Sequence, residues 1–256
     1  MDTRLLFLKL LKTLEVDVVC DVGSMDGTDA LRFRRTLDTA DIIALEPNPA
    51  NVIGMQADVA LAQAGIEVVP AAAADFDGDA PFYLVPAPSG PEERSLRGMS
   101  SLLKRTEPRY AGTCIRTRVL RLDSLLQSRA PHRRLAFWID SEGAAFEALT
   151  GAAGIARWLQ LVHVEVESVP CIGADQRLYA DVGALLQTWG FAEIATNAND
   201  DAPQFDAVFV RRDLPALQRL RVACWLVALH ARAWAIGFLA RSCPGCLHRM
   251  REWSRR

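Results

Sequence analysis

Short apolar runs rich in β-branched residues alternate along this chain with stretches whose apolar positions recur at helical spacing. No other feature constrains the fold as strongly. "VDVVCDVG" has the character of a strand buried on both faces, and "TDALRFRRTLD" follows it as a helix. "ADIIALEPNP" is a second buried strand stopped by two prolines, and "ANVIGMQADVALAQAG" is a second helix ending at Gly65. "IEVVPAAAAD" reads as a third strand, and "GDAPFYLVP" as a further one able to pair with a neighbour. Residues 86–113 carry four prolines and three glycines and predict an irregular excursion, after which "RTRVLRLDSLL" resumes regular structure. "LAFWIDSEG" is again a strand, followed by the helix "AAFEALTGA", the strand "LQLVHVEVES", the helix "LYADVGALLQTWG" and a last strand "FDAVFVRR". Such alternation predicts an α/β fold, a Rossmann-like doubly wound and mostly parallel sheet with right-handed connections.

Length and charge set the outer bounds. A chain of 256 residues accommodates one large α/β domain with a small appendage. The expected division is an N-terminal amphipathic helix over 1–15, the main domain over 16–212, and a basic, apolar helical tail over 213–256. A formal net charge of −2 argues against a polyanion binder, so no nucleic-acid partner is expected. Six cysteines scattered in mostly apolar surroundings read as reduced core thiols. "MDTRLLFLKLLKTLEVD" lacks a small-residue cleavage site after its apolar part, so it reads as a retained helix with the cytoplasm as the default compartment.

In a doubly wound sheet, ligands sit beyond the carboxyl ends of the strands where the strand order reverses. At the end of the first strand, Asp21, Gly23 and Gly27 form a D-x-G-x-x-x-G turn that also contains Ser24. Gly23 would let the chain turn tightly and a ligand come close, and Gly27 would open the helix near it. The turn is neither G-x-G-x-x-G nor a phosphate loop ending in G-K-[ST], so a pyrophosphate is not the indicated cargo. Glu46 stands at the end of the second strand, about 20 residues on, where an acid accepts hydrogen bonds from ribose hydroxyls. A glycine turn with a ribose acid and no phosphate cradle points to S-adenosylmethionine (SAM). Asp75, at the end of the third strand, is placed to meet the adenine or else to stabilise the turn into "FDGD".

Four stretches in this order resemble the FkbM-type SAM-dependent methyltransferases, over about Val16 to Arg211. "DVGSMDG" resembles that family's D-V-G-A-N-x-G turn, and "ALEPNP" its second-strand end. "GMSSL" with "VLRLDSLL" resembles its middle segments, and "WIDSEGAAFEALTGA" its K-I-D-x-E-G-x-E-x-x-x-L-x-G-A. The resemblance implies a class I methyltransferase fold and O-methylation of a sugar or natural-product hydroxyl. Met25 stands where the family has Asn, Trp138 where it has Lys, and Ala145 where it has Glu, so handling of ligands at those points is expected to differ.

Asp140 and Glu142 lie together at the end of the fourth main strand, next to the expected methyl donor. They could act as base, bind acceptor hydroxyls or hold a divalent cation, although the sequence does not require a metal; the plainer alternative is that they cap the following helix. His163, Glu165 and Glu167 alternate with valines and so share one face of their strand, with Glu165 a second base candidate. Ser100, Ser101 and Arg105 could line the acceptor pocket or form a capped loop.

The tail from Leu214 changes character: after Asp213 its only acid is Glu252, against many arginines. His230 and Arg232 fall in the middle of its apolar stretch and oppose a membrane span. Arg219, His230 and Arg241 share one side of a helix and Arg221 and Arg232 the other, so a single clean polar face is absent. Packing on the domain or on a second copy is the favoured reading, and peripheral contact with the inner face of an anionic membrane is the alternative. Cys243, Cys246 and His248 lack a second ligand pair for zinc. The sequence as a whole reads as an O-methyltransferase acting on a sugar, glycan or glycosylated metabolite. An N-methyltransferase on the same fold, or a catalytically weakened SAM-binding adaptor, is the alternative.

Overall fold

The first helix, α1 (Thr3–Thr13), begins at Asp2, whose side chain accepts from the Leu5 N–H at 2.8 Å, and buries Leu6, Phe7, Leu10 and Leu11 on one stripe. The computed structural model describes residues 1–86, 93–110, 112–198 and 202–242, and their side chains except at 93–95 and 232–242. From α1 the chain runs through β1 (Val18–Val22), α2 (Thr28–Thr36), β2 (Asp41–Leu45), α3 (Pro49–Ala57), α4 (Val59–Gln63) and β3 (Glu67–Val69). An excursion follows with β4 (Ala72–Ala73), β5 (Gly78–Tyr83), α5 (Glu93–Gly98), β6 (Cys114–Leu120) and α6 (Leu122–Leu126). The chain then returns through β7 (Leu135–Ile139), α7 (Ala145–Thr150), β8 (Leu159–Glu167), α8 (Tyr179–Thr188), β9 (Phe191–Thr196), β10 (Gln204–Arg211) and α9 (Ala216–Ser242).

The main sheet has seven strands in the order β3-β2-β1-β7-β8-β10-β9, all parallel except β10, which runs antiparallel to both neighbours. This is the doubly wound, mostly parallel arrangement that the strand–helix alternation predicts. Alternation along the strands feeds two cores. Val18, Cys20, Val22, Phe137, Ile139, Val162, Val164 and Phe209 face α6, α7 and α8, while Val19, Ala136, Trp138, Leu161 and Val208 face α1, α2 and α9. Burying one large side chain of this kind is worth roughly 1.5–3 kcal/mol, so the two layers fix strand register firmly.

Three details depart from the sequence reading. The second helix is two, because Asp58 ends α3 and its side chain caps α4 by accepting from the Ala60 N–H at 2.7 Å. The third strand breaks after Val69: Ala72 and Ala73 leave the main sheet and pair with β6, and β5 pairs antiparallel to β6 to complete a three-stranded second sheet. The edge strand β9 has little sequence signal, since "FAEIAT" is short and half-polar. Of the described cysteines only Cys20 is buried; Cys114, Cys171 and Cys224 are exposed. Cys243, Cys246 and His248 lie outside the described residues.

Candidate active site

β1 and β7 are neighbours, yet the chain leaves them toward opposite halves of the sheet, so their carboxyl ends mark the switch point. Gly23 sits there with φ +83°, and a Cβ on it would lie 1.8 Å from the Asp140 carbonyl oxygen. The turn is stitched to β2: the Gly23 and Ser24 N–H groups donate to the Leu45 carbonyl at 3.0 Å each, and the Met25 N–H donates to Glu46 Oε2 at 2.8 Å. Asp21 is buried beneath the turn and accepts from Ser24 Oγ at 2.6 Å; burial pushes its pKa up to about 8. Gly27 departs from expectation. It starts α2 with φ +76°, but a Cβ there would press on Leu61 of α4 at 2.7 Å, so it serves helix packing and lines neither of the two cavities beside the turn.

Two cavities adjoin at Gly23, Met25, Gly98 and Asp140. The first is walled by Ala71, Ala72, Ala73, Phe82 and Leu102, with Glu46 at its edge. Glu46 is buried, and its carboxylate is already engaged. Oε1 accepts from the Asn48 N–H at 2.8 Å and from Asn51 Nδ2 at 3.2 Å, while Oε2, among the described residues, accepts from the Met25 N–H alone. A carboxylate oxygen has two lone pairs, so Oε2 can take one further hydroxyl. The result is a mainly apolar slot with the Glu46 and Asp140 carboxylates at its edges, a shape and polarity that could hold a nucleoside. Arg97 of α5 completes this wall by donating from Nε to Asn51 Oδ1 at 2.9 Å. Neither Arg97 nor Asn51 carries a sequence signal of its own, because each is placed by its partner in the other segment.

The second cavity, about 600 Å³ and more open, is lined by Arg4, Asp21, Ser24, Asp29, Trp138 and Glu142 among others. Beside it Asp140, Glu142 and Glu165 bring carboxylate oxygens within 4.8 Å of one another, a spacing that a divalent cation could use. Protein groups already hold two of the three. Arg105 Nη2 pairs with Glu142 Oε2 at 2.6 Å, and Gln204 Nε2 donates to Glu165 Oε1 at 2.7 Å and to Glu167 Oε1 at 3.2 Å. Asp140 keeps an open face toward both cavities, yet withdrawal from bulk water and the adjacent Glu142 charge hold its pKa up at about 7. Burial raises Glu165 well above the usual carboxylate range, with Asp140 and Glu142 adding to it, and Glu167 rises to about 7 for like reasons.

Several sequence expectations find different places. Asp140 and Glu142 are not side-chain caps: α7 starts after Ala144, which has no capping hydrogen bond. Asp75 is exposed and outside both cavities; its backbone carbonyl accepts from Arg121 Nη1 at 2.7 Å. Ser101 is buried and ties backbone together, donating to the Glu142 carbonyl at 2.6 Å and accepting from the Leu103 N–H at 2.9 Å. Ser100 does line the first cavity, although its hydroxyl accepts from the Val85 N–H at 3.1 Å. His163 does not border the cleft. It is buried under α1 and stacked on Trp138 with ring centroids 3.5 Å apart, and burial lowers its pKa to about 3. Trp138 is correspondingly a core residue among Phe7, Phe33 and His163, with one edge at the second cavity.

Comparison with known proteins completes the picture. No curated protein sequence matches the chain. Among solved structures it is similar to the N-terminal domain of EvdMO1 with S-adenosylhomocysteine (SAH) and D-fucose, at 12% identity and TM-score 0.45, covering 83% of each chain. It is also similar to magnesium protoporphyrin IX methyltransferase from Synechocystis PCC 6803 with bound SAM, at 13% identity and TM-score 0.42, covering 82% of this chain and 79% of that one. A third is a putative O-methyltransferase from Klebsiella pneumoniae, at 14% identity and TM-score 0.44, covering 82% of this chain and 79% of that one. The methyltransferase FkbM domain matches residues 21–192, a span that starts at Asp21, ends in β9 and contains the whole constellation around Glu46 and Asp140. The chain therefore belongs to the FkbM family of SAM-dependent methyltransferases.

Proposed function

We propose that the chain transfers the methyl group of SAM to a hydroxyl of a sugar, glycan or glycosylated metabolite, with Asp140 as the base. The observation that carries this reading is the group of Asp140, Glu142 and Glu165 carboxylates opening beside the cavity that Glu46 borders. SAM supplies an electrophilic methyl on a sulfonium. The chain's own task is to align acceptor and donor, worth on the order of 7 kcal/mol in favourable cases, and to remove the hydroxyl proton, worth roughly 10²–10⁴-fold. Glu46 Oε2 takes a ribose hydroxyl, and Gly23 with Ser24 keeps the chain close to the cofactor.

The cluster sorts its own roles. Glu142 pairs with Arg105 at 2.6 Å, and burial among like charges pushes the Glu165 carboxyl well above the usual carboxylate range. Asp140, open to the cleft and titrating near neutrality, is left as the group able to receive a proton. A polyhydroxylated acceptor suits this floor of oxygen acceptors. Hydroxyls flanking the reacting one would bind Glu142 and Asp140 edges that an apolar acceptor would leave unpaired.

The test is incubation with methyl-labelled SAM and a panel of free sugars, glycosides and amine analogues, followed by mass spectrometry of the acceptor. Label on a sugar oxygen supports the reading. Label on amines alone, with every hydroxyl acceptor untouched, would replace it with N-methyl transfer.

A further inference from the structure

The two basic rows of α9 flank something that the sequence pattern alone does not resolve. Along its described part the helix carries two apolar stripes. The inner one, with Val222, Trp225, Leu226 and Leu229, packs on the α1 side of the domain; Trp225 Nε1 donates to Thr13 Oγ1 at 3.1 Å, and Lys9 Nζ lies 5.2 Å from the Trp225 ring. The outer stripe has no partner among the described residues. Leu217, Leu220 and Val227 are 58%, 61% and 70% exposed, and Cys224 between them is exposed too. At about 100° per residue these four fall within an arc of about 80° and along about 15 Å of helix. Arg221 borders the arc on one side, and Arg219 with His230 lies beyond its other edge; all three are exposed.

We propose that this outward stripe docks the protein on an anionic lipid surface, with the apolar side chains entering the headgroup boundary and the arginines meeting phosphates. Charge decides the occupant. No acidic residue occurs from Ala216 to Ser242, so pairing α9 with α9 of a second copy would bring arginine rows together with nothing to offset them. An anionic bilayer supplies the missing negative charge and the apolar boundary at once. Spanning is not implied, because no helix among the described residues is long and apolar enough to cross a membrane. The inference is independent of the acceptor reading, since none of these side chains lines either cavity.

The experiment is sedimentation of the full chain with phosphatidylcholine vesicles, with and without phosphatidylglycerol. Leu220→Asp/Val227→Asp and Arg219→Ser/Arg221→Ser variants are run alongside, with circular dichroism and SAM titration on the same samples as folding controls. Wild type should pellet with the anionic vesicles alone and be released by salt. Each lost arginine should weaken binding roughly fivefold, and the double aspartate variant should stay in the supernatant while still binding SAM. Wild type remaining in the supernatant at low salt would overturn the proposal. So would a folded double aspartate variant that still pellets, or a wild-type dimer that this variant dissociates, which would give the stripe to a second copy.

Discussion

Gly23→Ala is the substitution for which the structure gives the clearest physical consequence. The residue has φ +83°, a region in which an L side chain costs roughly 1–2 kcal/mol. The added Cβ would also stand 1.8 Å from the Asp140 carbonyl oxygen and 2.8 Å from its carbon, and both are backbone, so no side chain can rotate out of the way. The two strand ends must part by roughly 1 Å, across the 2.9 Å bond from the Asp140 N–H to the Val22 carbonyl, whose loss costs about 0.5–1.5 kcal/mol. Together these predict a loss of about 1.5–3.5 kcal/mol in urea unfolding. Because Asp140 is the residue displaced, turnover should fall about 10²-fold or more even at saturating SAM. The control is Gly54→Ala in α3, where nothing lies within 4 Å of the added carbon; it should gain about 0.4–1 kcal/mol. A Gly23→Ala protein with wild-type unfolding and full turnover would refute the account of this turn.

Asp140→Asn should keep SAM affinity while turnover on the acceptor falls roughly 10²–10⁴-fold, and unchanged turnover would remove the base assignment. In the wild type, turnover should climb as pH rises through about 7, the Asp140 pKa, and the profile should lose that limb when Asp140 is replaced. Stability moves the other way. The folded-state pKa lies above the unfolded value of 3.8, so the folded form binds the proton more tightly, and the resulting stability, full below 3.8, is lost by about 7; denaturant titration of Asp140→Asn should show a flatter pH dependence. Glu46→Ala unpairs the Met25 and Asn48 N–H groups and removes the proposed ribose acceptor, so calorimetry should find SAM weaker by about 1.5–3 kcal/mol together with a lower melting temperature. Methyl transfer should persist in EDTA, because Arg105 and Gln204 already engage Glu142 and Glu165; loss reversed by magnesium would give the three carboxylates to a cation.

The parts of the site legible in the sequence were those carried by strand ends. A buried strand has one carboxyl end, so Gly23, Glu46 and Asp140 could be placed from the apolar runs before them, and all three line the first cavity. What depended on contacts between distant segments was not legible. Gly27 looked like a second ligand glycine, but the helix it must accommodate, α4, is set by a break at Asp58. Asp75 was read from a continuous third strand, and the chain's switch into the second sheet at Ala72 turns it outward. His163 shares its strand face with Glu165 and Glu167, as its alternation predicts. It sits deeper along the strand, under α1, where stacking on Trp138 takes it out of the cleft. Arg97, Asn51 and Gln204 left almost no trace because each acts through a partner from another segment, 46 residues away for the first pair. The outer stripe of α9 was hidden for a related reason: two apolar faces on one helix cancel in any search for a single one.

The most direct measurement is a crystal structure of the chain with SAH. The account predicts the adenosine against Ala71–Ala73 and Phe82, a ribose hydroxyl on Glu46 Oε2, and the sulfur turned toward the Asp140 carboxylate. SAH seated away from Glu46, or with its sulfur facing away from Asp140, would contradict it.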